Sequence, residues 1–534
     1  MDGRRPALSG RAARAAVVGL PAAFVALFFV YPLGSIVERG LTQGGGLDWP
    51  GDVLADPSTL HVVWFTFWQA TASTALTLAA GLPLAWVVGR FSFRGRSLLR
   101  AIVVVPFVLP TVVVAMAFLA LLPERLDRSV WAILLAHVFF NVAVVVRIVG
   151  GYWAGLSHEL WDAAATLGAS PARRFREVTL PLLAPALRSA AALVFLFCFT
   201  SFGVIVILGG PRYSTLETEI YNQAARAFDL RAAAALSLLQ LGFVAAILAV
   251  SAALGRRLEG ARPLVAERDV LRRPRGRERA AAAGIVAGTL LLLGLPLAVL
   301  VERSLATPAG LGLGFYRALG AETPALLVPP WHAAVNSLLF AALSTVLALA
   351  VGGAVAIAVA RRRAAWLDGL AMLPLGASAV MLGFGFVIAF DAPPLDLRSW
   401  PWLVPVVQSL VAAPFVVRIA APALRAIDPR LREAAAVLGA SPARSWREID
   451  LPLALRAFGV AAGFAFAVSL GEFGATVFVA RSDRPTLPVA IFRFLGRPGA
   501  ENVGQAMALS VVLMVLAAAA ALLGERLAAR RGAL

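Results

Sequence analysis

The chain has 534 residues, 60% of them hydrophobic and 15% charged, against roughly 45–50% and 25% in soluble domains. With a mean hydropathy of +0.82, a string of three or four soluble domains is excluded and most of the chain must face lipid. The net charge of +18 rests on 48 arginines and no lysine; they form no continuous basic face, which excludes nucleic acid as the partner such a charge suggests.

A window of about 20 residues predicts twelve apolar spans in chain order. They fall near 14–36, 61–89, 100–122, 130–150, 187–209, 232–254, 280–301, 332–360, 367–390, 400–422, 455–479 and 505–524. The first is too long, and lacks the cleavage-site flank, to read as a removable signal peptide. The runs at 61–89 and 332–360 are long enough that their ends should emerge or tilt. With both termini cytoplasmic, 35 of the 48 arginines fall on the inner side, as the positive-inside rule asks. Those inner groups include Arg4, Arg5, Arg11 and Arg14, nine arginines from Arg256 to Arg279, and the triplet Arg361–Arg363. The loop carrying Arg481, Arg484, Arg493 and Arg497 falls outside and is the exception. The single cysteine, Cys198, lies in an apolar stretch and the four histidines are scattered, which leaves no intrachain disulfide and no expected metal site.

The spans repeat. At a constant offset of 271, His61 aligns with His332, Ser73-Thr74 with Ser344-Thr345, Gly81 with Gly352 and Arg90 with Arg361. After a three-residue slip the same offset returns at Arg147 and Arg418 and runs through Thr215-Leu216 and Thr486-Leu487. Val37-Glu38-Arg39 also resembles Val301-Glu302-Arg303. An even number of spans per half makes the copies parallel repeats. The expected fold is an all-α integral membrane protein of twelve transmembrane helices in two parallel six-helix repeats, each with a long cytoplasmic loop. Its expected divisions are a tail, first helix and outer loop (1–56), a first transmembrane domain (57–255), a basic linker with the seventh helix and outer loop (256–329), and a second transmembrane domain (330–526).

The best-matched stretch is not a span. Asp162–Pro181 reads DAAATLGASPARRFREVTLP and Glu433–Pro452 reads EAAAVLGASPARSWREIDLP, identical at fourteen of twenty positions. Alanines favour a short helix. Gly168 and Gly439 are placed to end it in the left-handed conformation. Ser170-Pro171 and Ser441-Pro442 then start a second helix as N-cap and N1, and Leu180-Pro181 and Leu451-Pro452 are expected to close the unit. The product is a helix–turn–helix elbow with a small-residue face.

An acid-Ala-Ala, three residues, Gly, nine residues, an aliphatic, one residue and Leu-Pro resembles the signature loop of ATP-binding-cassette (ABC) importer permeases. The first copy departs from it only in carrying Asp162 for the usual Glu. The resemblance implies that each loop is a cytoplasmic coupling-helix loop, in which Asp162, Ala163, Ala164 and Gly168, and Glu433, Ala434, Ala435 and Gly439, dock two copies of a separate cytoplasmic ATPase. It also implies a substrate-binding protein, periplasmic or lipid-anchored, in a bacterial inner membrane. A phosphate-cradling P-loop needs a lysine, and this chain has none. ATP and its Mg²⁺ therefore belong to the partner chain, and no cofactor is expected here.

Phe65-Thr66-Phe67-Trp68-Gln69-Ala70, Leu134 through His137 to Asn141, and Leu196 through Ser201-Phe202, Leu208-Gly209-Gly210 and Thr215-Leu216-Glu217 to Ile220-Tyr221 are similar to permeases for thiamine or thiamine pyrophosphate. Ferric-iron permeases are the alternative within the class, and an ion-coupled secondary transporter the alternative outside it. Polar residues within spans are functional candidates. His137 and Asn141, four apart and on one helix face, are candidates for the pathway or for interhelical hydrogen bonding. Glu472, which stands where the first half has Ser201, is a structural or gating candidate.

Overall fold

The structure, a computed structural model, describes residues 18–43, 46–47, 49–156, 159–256, 271–308, 310–361, 366–391 and 395–530. Among them ten helices are long and apolar enough to cross a membrane, and two bent helix pairs raise the number to twelve if each pair is one span. Arg4, Arg5, Arg11, Arg14, Arg257, Arg262, Arg268, Arg362, Arg363 and Arg531 lie outside the described residues. Among the described residues the regular structure is helical, apart from two short ladders, Thr42–Gln43 with Gly46–Leu47 and Ala306–Thr307 with Gly310–Leu311.

The long apolar runs each form one helix. Pro57–Arg90 starts on Asp56, whose carboxylate accepts the Ser58 N–H at 2.7 Å with proline in the first turn. The hydrogen bonds from Ser58 hold the Asp56 carboxyl below its usual range. The sign follows from linkage: the cap is fully formed above the ordinary carboxylate pKa and is lost as pH falls through the lowered one.

Two expected spans are broken. Arg96–Val108 and Thr111–Leu121 meet at 98°, and Trp366–Gly376 and Ala379–Ala389 at 97°. Pro110 has no N–H to continue the first helix and holds Leu109 extended, with ψ 140°. In the second pair Ser378 leaves the helical region with ψ 150° and caps a new start by accepting the Met381 N–H at 3.0 Å. The expected spans at 187–209 and 455–479 are also divided, into Leu180–Phe199 with Gly203–Leu208 and Leu451–Gly471 with Thr476–Val479.

The repeat reappears as matched contacts. Gly81 lies so close to Val145 that an added Cβ would sit 2.7 Å from the valine Cβ. Gly352 faces Val416, at the same offset, across the corresponding helix pair, with 3.0 Å for the same measurement. Thr66 Oγ1 accepts the Leu216 N–H at 3.0 Å, and Ser337 Oγ accepts the Leu487 N–H at 2.7 Å. The two ladders also correspond, each following the first span of its half.

Two compact units result. One holds the described residues up to Pro50, Ile220–Leu238 and those from Thr307 onward; the other holds those in Gly51–Glu219 and Leu239–Ala306. In the first unit, the Phe28 ring lies 6.2 Å from that of Phe386, stacked, and 5.9 Å from that of Phe390, tilted. Gly385 in the same unit leaves room for Pro32 and Ile36, so the first span packs with elements of the second repeat. In the other unit the helix Arg277–Leu305 packs on Thr111–Leu121.

Candidate functional site: two elbows and two buried polar nodes

Each signature loop folds as a short helix, a glycine turn and a second helix. The first helices are Glu159–Thr166 and Pro429–Val437. Gly168 and Gly439 take φ +79° and +83°. Around them Ala169 N–H bonds Ala164 O at 3.0 Å and Ala440 N–H bonds Ala435 O at 2.9 Å, the pairing of a glycine-terminated helix. Ser170 and Ser441 then accept the Arg173 and Arg444 N–H groups, both at 3.3 Å. The pairs Arg173–Glu177 and Arg444–Glu448, four residues apart, recur in both elbows at 2.9 Å.

The expectation that Leu-Pro closes each unit needs correction. Helical backbone runs without a break from Pro171 to Phe199 and from Pro442 to Gly471. A π-turn at Phe175–Thr179 and another at Trp446–Asp450 precede Pro181 and Pro452. The wider turn shifts the carbonyl ladder, and the proline falls at the start of a new regular segment where its missing N–H costs little. The elbow's second helix is thus the end of a span.

Asp162, Ala163, Gly168, Glu433, Ala434 and Gly439 are exposed, and Ala164 and Ala435 are half-buried. Beside them Leu167, Val437 and Leu438 are each 87% exposed. The structure brings each set of four sequence-predicted residues onto one elbow tip with a bare aliphatic side chain.

His137 and Asn141 lie inside the helix bundle. Ser73 Oγ is 2.9 Å from His137 Nδ1, and His137 Nε2 is 2.9 Å from Ser201 Oγ. Asn141 Nδ2 donates to His137 O at 3.0 Å and reaches Cys198 Sγ at 3.5 Å. These groups join three helices through hydrogen bonds. In the second half the same positions carry Ser344, Gln408, Glu472 and Ser469. Ser344 and Ser469 hydroxyls are 2.8 Å apart, and Gln408 Nε2 is 3.5 Å from Thr476 Oγ1. Glu472 accepts the Ala475 and Thr476 N–H groups at 2.7 and 2.9 Å and the Thr476 hydroxyl. It caps the segment that restarts after the break. Burying an unpaired polar group costs about 1–3 kcal/mol. Accordingly, His137→Leu should lower unfolding stability by about that amount, whereas His137→Gln, which installs the residue found in the second half, should cost less. Thermal unfolding in detergent checks the order.

In the loop that carries Arg481 and Arg484 one carboxylate offsets part of the charge. Arg481 bonds Asp483 at 2.9 Å and the Ser399 carbonyl at 2.8 Å, and Arg484 reaches Asp483 at 4.0 Å. The Arg481 hydrogen bond holds the Asp483 carboxyl below its usual range. Sequence reasoning missed a further cluster at the base of the second elbow, Arg361, Arg432 and Asp450. Its one signal was that Arg361 matches Arg90 across the repeat.

Two homologous sets of membrane-spanning helices, each carrying the same elbow, point to a transport permease rather than an enzyme. The sequence pattern of binding-protein-dependent transport system inner membrane components matches residues 81–260 and 344–532. The chain belongs to that family: it is a multi-pass inner-membrane permease of an ABC importer, which works with an ATPase and a substrate-binding protein. The thiamine transport system permease protein ThiP of Brucella abortus (strain 2308) is 30% identical over 99% of this chain and 98% of its own. ThiP of Escherichia coli K12 is 28% identical over 88% and 89%. A probable ABC transporter permease protein, y4fN of Sinorhizobium fredii, is 25% identical over 95% of each chain.

Proposed function

We propose that this permease imports thiamine or thiamine pyrophosphate, with both termini cytoplasmic and one ATPase copy docked on each elbow. The observation that carries the docking is the pair of matched elbow tips, where Leu167, Val437 and Leu438 stand 87% exposed beside an acid, two alanines and a glycine turn. Aliphatic side chains held this far out on capped helices suit a hydrophobic cleft on another protein. The arginine distribution supports the orientation, since both elbows then fall on the inner side. ATP and Mg²⁺ bind the partner, because a chain without lysine has no P-loop.

In this reading ATP closure of the ATPase dimer pulls both elbows, and the continuous helices Pro171–Phe199 and Pro442–Gly471 carry the pull into the bundle. Those helices end at the polar nodes, where Ser201 and Glu472 sit at the breaks. Glu472 is engaged in capping a helix start, which argues against its use as an ion-coupling carboxylate.

The thiamine assignment draws on the printed names of the relatives and on the stretches around Phe65–Ala70 and Leu134–Asn141. Calorimetry on the cognate binding protein tests it: thiamine is expected to bind with micromolar affinity or better. Binding of ferric iron without thiamine would replace the substrate assignment.

A further inference from the structure

The two elbows are fastened to their bundles by different side chains. In the second half Asp450, 1% exposed, lies in the π-turn below the elbow. Its carboxylate accepts Arg361 Nη2 at 2.8 Å and Arg432 Nε at 2.7 Å. Arg361 caps the helix Trp331–Ala360, and Arg432 belongs to the elbow's first helix. One carboxylate therefore joins three elements, and Arg361 also lies 5.2 Å over the Trp446 ring. A recess of about 520 Å³, lined by Arg361, Arg432, Asp450, Ala436 and Ala440, opens beside it.

At the matching positions the first half has Arg90, Trp161 and Thr179. Trp161 replaces the elbow arginine and Thr179 the buried carboxylate. Arg174 stacks over the Trp161 ring at 3.9 Å and Arg90 at 5.4 Å. A recess of about 20 Å³ lies beside Arg90, Trp161 and Thr179, and Arg90 also feels the carboxylates of Asp162 on the elbow and of Glu278.

The carboxylate fastening of the second elbow is directional. A charge-assisted hydrogen bond fixes both distance and direction, and a buried carboxylate that loses a guanidinium partner is strongly disfavoured. We propose that Asp450 is a positioning residue: it makes the second elbow and the helix Trp331–Ala360 move as one body. The proposal rests on the elbows being the ATPase docking sites and assigns how the second one transmits the pull.

Spin-label distances test it, in a Cys198→Ser background with the permease–ATPase complex purified as a whole. One label pair, at Arg430→Cys and Val346→Cys, spans elbow and helix. A control pair, at Val346→Cys and Leu453→Cys, reports the bundle. With Asp450 present, the elbow–helix distance should be the same with and without ATP and vanadate. With Asp450→Asn its distribution should at least double in width while the control pair stays unchanged, and Asp450→Glu should restore it. In proteoliposomes with the binding protein, ATP hydrolysed per radiolabelled thiamine taken up should rise about tenfold for Asp450→Asn. A narrow, nucleotide-independent elbow distance in Asp450→Asn overturns the proposal. If that variant does not fold, Arg432→Gln, at a half-exposed site, answers the same question. If the ATPase fails to copurify with the unaltered permease, the docking reading falls, and the label width on the permease alone still decides the role of Asp450.

Discussion

A permease carrying Leu167→Asp and Leu438→Asp together should lose its ATPase during purification and show no ATP-driven uptake. Both side chains are 87% exposed, so the substitutions remove no internal packing and the permease itself should fold normally. Burial of one leucine in a partner's cleft contributes about 1.5–3 kcal/mol. Two elbows acting on one assembly would lose about 3–6 kcal/mol, a weakening of roughly 10²- to 10⁴-fold. Placing a carboxylate in an apolar cleft adds a desolvation cost, which drives the result toward complete dissociation. Each single variant should retain partial copurification, since the other elbow still holds. Full copurification of the double variant, with uptake intact, would remove the elbows from the docking assignment.

Gly168 and Gly439 test the same surface by another route. An added Cβ at either position meets nothing within 4 Å, so crowding is not the issue. Their φ angles of +79° and +83° are, because a side chain there costs about 1–2 kcal/mol. Gly168→Val with Gly439→Val should distort the tips while leaving the spans in place, so hydrolysis should continue and uptake per ATP should fall.

The elbows were legible in the sequence because each of their steps is a local rule. Alanine-rich turn, glycine at C′ and Ser-Pro at the next start each fix a conformation within a few residues, and two copies at one offset confirm one another. The repeat was legible for the same reason, down to the glycines that admit a neighbouring valine. The bends at Leu109-Pro110 and Ser378 were not, since a hydropathy window averages over a two-residue break that leaves composition unchanged. Nor was the packing of Phe28 near Phe386 and Phe390, because sequence order places the first span beside its own half. The polar nodes were visible as His137, Asn141 and Glu472 but their partners were not. Ser73, Ser201 and Thr476 are ordinary letters until three helices bring them together. Asp450 escaped notice because it occupies a variable position of the signature, where the first half has Thr179. The halves share a backbone plan, and the differences between them sit where charge or stacking joins one helix to the next.

The matched glycines give a second large effect, with opposite expectations for rescue. Gly81→Ala would place a Cβ 2.7 Å from Val145 Cβ and 2.8 Å from its Cγ1. Gly352→Ala would place one 2.7 Å from the Ala413 carbonyl oxygen and 3.0 Å from Val416 Cβ. Each substitution forces two buried helices apart, and overpacking of this kind costs about 1–3 kcal/mol. At Gly81 the three nearest atoms all belong to one side chain. Val145→Gly removes them, so the pair Gly81→Ala with Val145→Gly should show a favourable coupling energy of about 1–3 kcal/mol in a double-mutant cycle. At Gly352 the nearest obstacle is main chain. Val416→Gly leaves the Ala413 oxygen in place, and the coupling between Gly352→Ala and Val416→Gly should be much smaller. Reversible unfolding in mixed micelles, followed by tryptophan fluorescence, measures both cycles. Equal rescue in the two halves would mean that the helix pair Trp331–Ala360 and Leu403–Arg425 is set by the valine and not by the backbone. The first elbow's bundle should therefore tolerate a compensated change at its helix crossing, whereas the second, also joined through Asp450, should not.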